Sequence, residues 1–113
     1  MNKNKYRPLP DSLTIKKSDI EGLGIFATKD IKKNTNLGMM HYITNEYKNI
    51  IRTPLGGFIN HSNKPNCIKE KEDFIYYEQT NLITNRLIKK GEELTVKYTM
   101  YKVWLQGGFY TTL

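Results

Sequence analysis

Seven consecutive residues, Asn60-His61-Ser62-Asn63-Lys64-Pro65-Asn66, limit what this chain can fold into more than any other stretch. Pro65 fixes its own φ and pushes Lys64 towards an extended conformation, while Asn63 and Asn66 tolerate left-handed turn geometry. Asn60 offers an acceptor and two donors on one side chain. Before them stands Leu55-Gly56-Gly57-Phe58-Ile59, in which two glycines allow close backbone approach next to an apolar pair. The pattern predicts a buried strand that ends in a polar turn, and a turn so heavily specified can hold the polar end of a ligand.

The chain has 113 residues, enough for one domain that buries roughly two-thirds of the surface its unfolded chain exposes. Lys and Arg number 18 against 11 Asp and Glu, a formal net charge of +7, so the field of the whole protein attracts anions such as nucleic acid or an acidic patch on a partner. The single cysteine, Cys67, excludes an internal disulfide and fits a reducing, intracellular setting, with a host nucleus open to it. A zinc site would have to draw on Cys67, His41, His61 and carboxylates alone. No apolar run is long enough to span a bilayer, and the polar start Met1-Asn2-Lys3-Asn4-Lys5 leads into no apolar segment of a secretory signal.

Residues 1–11 carry charge, Asn, Pro8 and Pro10 and are expected to form an extended arm, with a single domain over residues 12–113. Strands are expected at Leu13-Thr14-Ile15, at Ile25-Phe26-Ala27 after the Glu21-Gly22-Leu23-Gly24 turn, and from Leu37 to Tyr42. Thr44 to Tyr47 reads as a short capped helix or a turn. Cys67 to Lys71, Phe74 to Glu78 and Asn81 to Ile88 read as a meander with turns at Glu72-Asp73 and Thr80-Asn81. Leu94 to Tyr98 alternates as a strand, and Met100 to Gln106 suits one or two helical turns before Gly107 and Gly108. The segments Ile31-Lys32-Lys33-Asn34 and Ile88-Lys89-Lys90-Gly91 match, and Asn34 and Gly91 both accept positive φ, so two similar tight turns are expected, each feeding a strand. His41 has no partner at a recognisable spacing and reads as a structural or surface histidine.

Three markers then stand in order: Gly22-Leu23-Gly24; Phe58-Ile59-Asn60-His61-Ser62-Asn63-Lys64-Pro65-Asn66-Cys67; and Gly91-Glu92-Glu93-Leu94-Thr95-Val96-Lys97-Tyr98. Together they resemble the SET domain of protein-lysine methyltransferases, and among these the small stand-alone SET proteins of large DNA viruses. The resemblance implies a mostly β fold of several short sheets with a C-terminal pseudoknot and little helix. It implies S-adenosylmethionine as cofactor, no metal, and a histone tail or similar extended lysine peptide as substrate. By position, the backbone at Leu23 and Gly24, the Asn60 side chain and the His61 backbone would hold the cofactor; Tyr98 would be the catalytic tyrosine; and Tyr47 and Tyr101 would line the lysine channel. Trp104 opens an aromatic tail, Trp104 to Leu113, expected to fold over the cofactor, against the alternatives of capping the core or pairing across a homodimer.

These residue types suit the chemistry. A lysine has a pKa near 10.4 in water and must lose its proton before it attacks, and a nearby cation or an apolar channel lowers that pKa. Aromatic faces tolerate methylated ammonium groups, and a narrow channel contributes positioning and electrostatics. Cys67 lacks a paired base and carries no nucleophile role. Three departures stand out: Lys97 where relatives often carry Asp, Gly57 where Arg is frequent, and a short segment between Leu37 and Gly57. They leave a second class open, a catalytically weak SET-like module that binds protein or nucleic acid through its basic surface.

Overall fold

The computed structural model describes residues 8–44, 46 and 49–98, and the backbone alone of residues 100–105 and 109–112. In chain order the elements are β1 (Leu13–Lys17), β2 (Leu23–Ala27), β3 (Asn36–Thr44), β4 (Ile50–Arg52), α1 (Pro54–Phe58) and β5 (Asn60–His61). They continue with β6 (Cys67–Asp73), β7 (Tyr77–Thr84), β8 (Glu93–Val96), β9 (Met100–Leu105) and β10 (Phe109–Thr112). One four-stranded sheet has the order β1-β2-β8-β5, a second β4-β3-β7-β6, and β9 and β10 form a two-stranded hairpin. The architecture is mostly β with a single short helix among the described residues.

β5 joins β8 in parallel, Asn60 opposite Thr95 and His61 opposite Val96, whereas the other pairings are antiparallel. That one parallel contact brings the second and third sequence markers side by side. Apolar side chains from both larger sheets close one core, with Ile25, Leu82, Ile88 and Leu94 fully buried. Burying such a side chain stabilises by about 1.5–3 kcal/mol. Leu9 and Ile15 pack against its margin.

The two matched turns form as their sequences require, with φ of 65° at Asn34 and 90° at Gly91. They also join each other: the amides of Ile31 and Ile88 each donate to the other's carbonyl at 2.8 Å. Four other expectations need correction. Residues 54–58 are helical rather than a strand, because Thr53 caps the first turn by accepting from the Gly56 amide and Pro54 occupies a first-turn position where its missing N–H costs nothing. Ile59 is buried as expected, but Phe58 is exposed. The meander is one hairpin whose strands run through both supposed turns. Asn81 stays inside β7 because its amide donates to Glu72 at 2.6 Å and accepts from Gln79 at 2.8 Å, so a turn-prone residue is satisfied within the sheet. Finally, residues 100–105 are a strand, since β10 supplies a partner that a lone apolar segment does not reveal.

Candidate active site

Gly24, Asn60 and Glu93 come from three adjacent strands and meet at one point. A Cβ on Gly24 would overlap the Glu93 carboxylate and lie 3.1 Å from the Asn60 amide nitrogen, so only glycine leaves this approach open. Asn60 Nδ2 has four oxygen partners: Glu93 Oε2 at 2.8 Å, Ser18 Oγ and the Glu21 carbonyl at 3.1 Å, and the Leu23 carbonyl at 3.2 Å. Ser18 in turn donates to the Glu93 carboxylate at 2.7 Å. These acceptors fix which end of the amide is nitrogen. Asn60 Oδ1 is left as an acceptor with no partner among the described residues.

Behind Asn60 the seven-residue turn is strapped to β8 by Asn66, which is 3% exposed. Its amide donates to the Glu93 carbonyl at 2.9 Å and accepts from the Thr95 amide at 2.9 Å, replacing strand pairing where the turn leaves the sheet. Ser62 Oγ accepts the Lys64 amide at 3.0 Å. The buried thiol of Cys67 has its pKa pushed up to about 12 by loss of solvation, so it stays protonated.

His61 reaches Tyr98. Its Nδ1 accepts the Tyr98 amide N–H at 2.9 Å, which makes Nε2 the protonated nitrogen, and Nε2–H donates to Asn63 Oδ1 at 3.2 Å. The two rings lie 5.2 Å apart at 51°. The His61 ring therefore holds the backbone of Tyr98, beyond any part its own backbone plays. The Tyr98 hydroxyl donates to the Ile59 carbonyl at 2.5 Å. Burial raises the phenol's pKa, with Arg52 lowering it and Glu21 raising it, so the donor form persists at neutral pH.

Tyr98 stands at a cavity of about 320 Å³, also lined by His41, Arg52, Gly56, Gly57 and Ile59. Sequence reasoning had placed His41 outside any site. It had also missed Ser18 and Glu93, although Glu93 lies within a marker; an acid at the start of a strand gains meaning only once β5 and β2 flank β8 and bring Asn60 and Gly24 to its side chain. Tyr47 lies outside the described residues, as do the side chains of Tyr101 and Trp104, whose backbones belong to β9.

The chain matches the family model of the SET domain over residues 39–99, which takes in Asn60, Glu93 and Tyr98. This chain belongs to the SET-domain family. It is 31% identical to histone-lysine N-methyltransferase 2D of Homo sapiens over 84% of its own length, and equally to that of Mus musculus. It is 27% identical to histone-lysine N-methyltransferase trr of Drosophila melanogaster over 78% of its length. The SET chain spans only 2% of the mammalian proteins and 5% of the fly protein. The fold also matches the crystal structure of a Plasmodium falciparum putative histone methyltransferase, with a TM-score of 0.66 and 20% identity, over 84% of this chain and 97% of that one.

Proposed function

We propose that this SET chain is a protein-lysine N-methyltransferase that uses S-adenosylmethionine and acts on a histone tail or a similarly extended lysine peptide. The observation that carries the reading is that the parallel pairing of β5 with β8 brings Asn60 and Tyr98 into one region, Tyr98 following the end of β8 and its amide donating to the His61 ring: one side chain keeps an unpartnered carbonyl, and the other presents a phenol at a cavity. The cofactor's amino-acid end carries an ammonium, and the acceptors around Gly24 are of the right kind for it: Asn60 Oδ1 and the carbonyls of Glu21 and Leu23. When bound, S-adenosylmethionine supplies a methyl group on a sulfonium.

The protein's own residues divide the remaining work. Leu23, Gly24 and Asn60 hold the methionine end, His61 lends its backbone to the adenine side and its ring to Tyr98, and Tyr98 orients the substrate amine. Tyr47 and Tyr101 line the lysine's path, and Trp104 with the tail covers the cofactor. Both Gly57 and the bare turn of α1 leave the cavity rim open, where a peptide can lie extended beside the sheet.

The test is saturable binding of S-adenosylmethionine by calorimetry, followed by transfer of labelled methyl to mixed core histones. We expect both. Binding without transfer to any protein would favour a module that recognises partners through its basic surface, and absence of binding would overturn the reading.

A further inference from the structure

Neighbouring residues in a strand point to opposite faces, yet Met40 and His41 are both buried, at 3% and 4% exposure. The register explains this. Met39 faces Asn81 and His41 faces Thr80, so Met40 is an extra residue, a bulge in β3. Bulges re-aim side chains and favour the surroundings of functional sites. Here the bulge sends His41 into the wall of the cavity at which Tyr98 stands.

Neither ring nitrogen of His41 has a hydrogen-bond partner among the described residues, and among them no side-chain nitrogen or oxygen shut off from solvent lacks a partner. The imidazole nitrogens therefore reach solvent, and the cavity is a space that His41 lines. A ring nitrogen that no protein group satisfies is one that water or a ligand can bond.

Of the described residues lining the cavity, none is Asp or Glu. Arg52 is a cation, and the Tyr98 phenol is protonated and turned to a carbonyl. Among the described residues, the charged groups near His41 on other strands are Lys69 of β6 and Arg52 of β4, its register partner on β7 is the neutral Thr80, and Lys71 of β6 lies beyond Thr80. Burial, then those two cations, hold the imidazole below its ordinary pKa of 6.5 and keep it neutral. The same surroundings disfavour an incoming ammonium and equally an imidazolium, so a proton that His41 takes is held only in passing.

We propose that His41 is a second catalytic residue, the base that takes the proton from the substrate lysine. An N–H bond of the ammonium breaks, its electron pair stays on the lysine nitrogen, and the proton bonds to the free imidazole nitrogen. The amine becomes neutral with a lone pair available for attack, and the imidazolium later passes its proton to water. This rests on the methyltransferase reading above.

The test uses the full chain, S-adenosylmethionine and core histones. His41→Gln should lower kcat on the order of 10²-fold with cofactor affinity unchanged. It should also remove the acid limb of the kcat/KM profile, which in the wild type falls as pH drops through the His41 pKa, below 6.5. Added imidazole should restore part of the rate of His41→Ala, in proportion to its neutral fraction, which a structural role would not produce. Wild-type rate and profile in His41→Gln, or no rescue of a folded His41→Ala, would overturn the proposal.

A readout independent of turnover uses the wild type without cofactor. The chain has two histidines, so the imidazole ¹⁵N resonances can be assigned by comparison with the His41 variants. A peptide spanning the labelled lysine should shift the His41 resonances, and its norleucine counterpart should not. Equal responses would remove His41 alone. A wild type that methylates no histone would instead remove the methyltransferase reading, and this proposal with it.

Discussion

At the scale of single residues, the two positions that the sequence marks most clearly should separate binding from turnover. Asn60→Ala removes the outward carbonyl and leaves Ser18, Glu93 and two backbone carbonyls without their shared donor. Cofactor affinity should fall by about 1.5–3 kcal/mol for each lost bond to the charged ligand, with the sheet order intact by circular dichroism. Calorimetry on a folded mutant with unchanged affinity would take Asn60 out of the site. Tyr98→Phe keeps the ring beside His61 and removes only the hydroxyl donated to Ile59. Single-turnover kinetics should then show nearly unchanged cofactor binding and a lower rate of the chemical step. A near-normal rate would end the catalytic assignment of Tyr98.

At the scale of elements, α1 is the piece on which the cavity rim depends. Thr53 caps it and also donates to the carbonyls of Met39 and Met40, while a Cβ on Gly56 would strike the Met40 carbonyl. Thr53→Ala should cost about 0.5–2 kcal/mol in urea unfolding and raise KM for the histone substrate more than the Kd for the cofactor. An unchanged KM would show that α1 does not shape the peptide's path. Elements of this kind mark how far the sequence is readable. Asn60 and Gly24 stand out in the sequence by residue type, a polar turn and a glycine pair, whereas Tyr98 stands out only through the resemblance of its marker to the SET domain. The paired turns at Asn34 and Gly91 were legible because both need positive φ. The helix at Pro54 was hidden by two glycines that favour other structures, and its cap became visible only once β3 lay beside it. Asn81 and Glu72 resembled turn residues because their satisfaction inside the sheet depends on each other. His41 could not be read at all, since a bulge is a property of two strands and leaves no trace in one.

At the scale of the whole molecule, the described core is assembled from residues between Leu13 and Val96. The backbone of that segment forms the β9–β10 hairpin. If the tail covers the cofactor as proposed, truncation after Gln106 should leave a cooperative thermal transition and weaken cofactor binding by roughly 1–3 kcal/mol for each lost stacking contact. Loss of the transition would make the tail part of the core, and undiminished binding would make it irrelevant to the cofactor. The net charge of +7 acts at the same scale, drawing acidic partners from any direction without selecting among them. No helix among the described residues is long and apolar enough to cross a membrane.

The clamp on the Asn60 amide has a consequence for how the protein reaches its working state. Its side-chain partners, Ser18 and Glu93, lie 42 and 33 positions away along the chain, and Ser18 and Glu93 are separated by 75. Loops of that length close late, because entropy must be lost before such contacts return any stabilisation. The β6–β7 hairpin, by contrast, joins near neighbours and can form early. If Asn60 holds the ligand as proposed, a chain that has emerged during synthesis only as far as the seven-residue turn holds half of that site, since Glu93 has yet to be made. On that reading ligand binding would act as an inspection of finished molecules, and a cofactor present during maturation would protect only chains in which all three segments have already met.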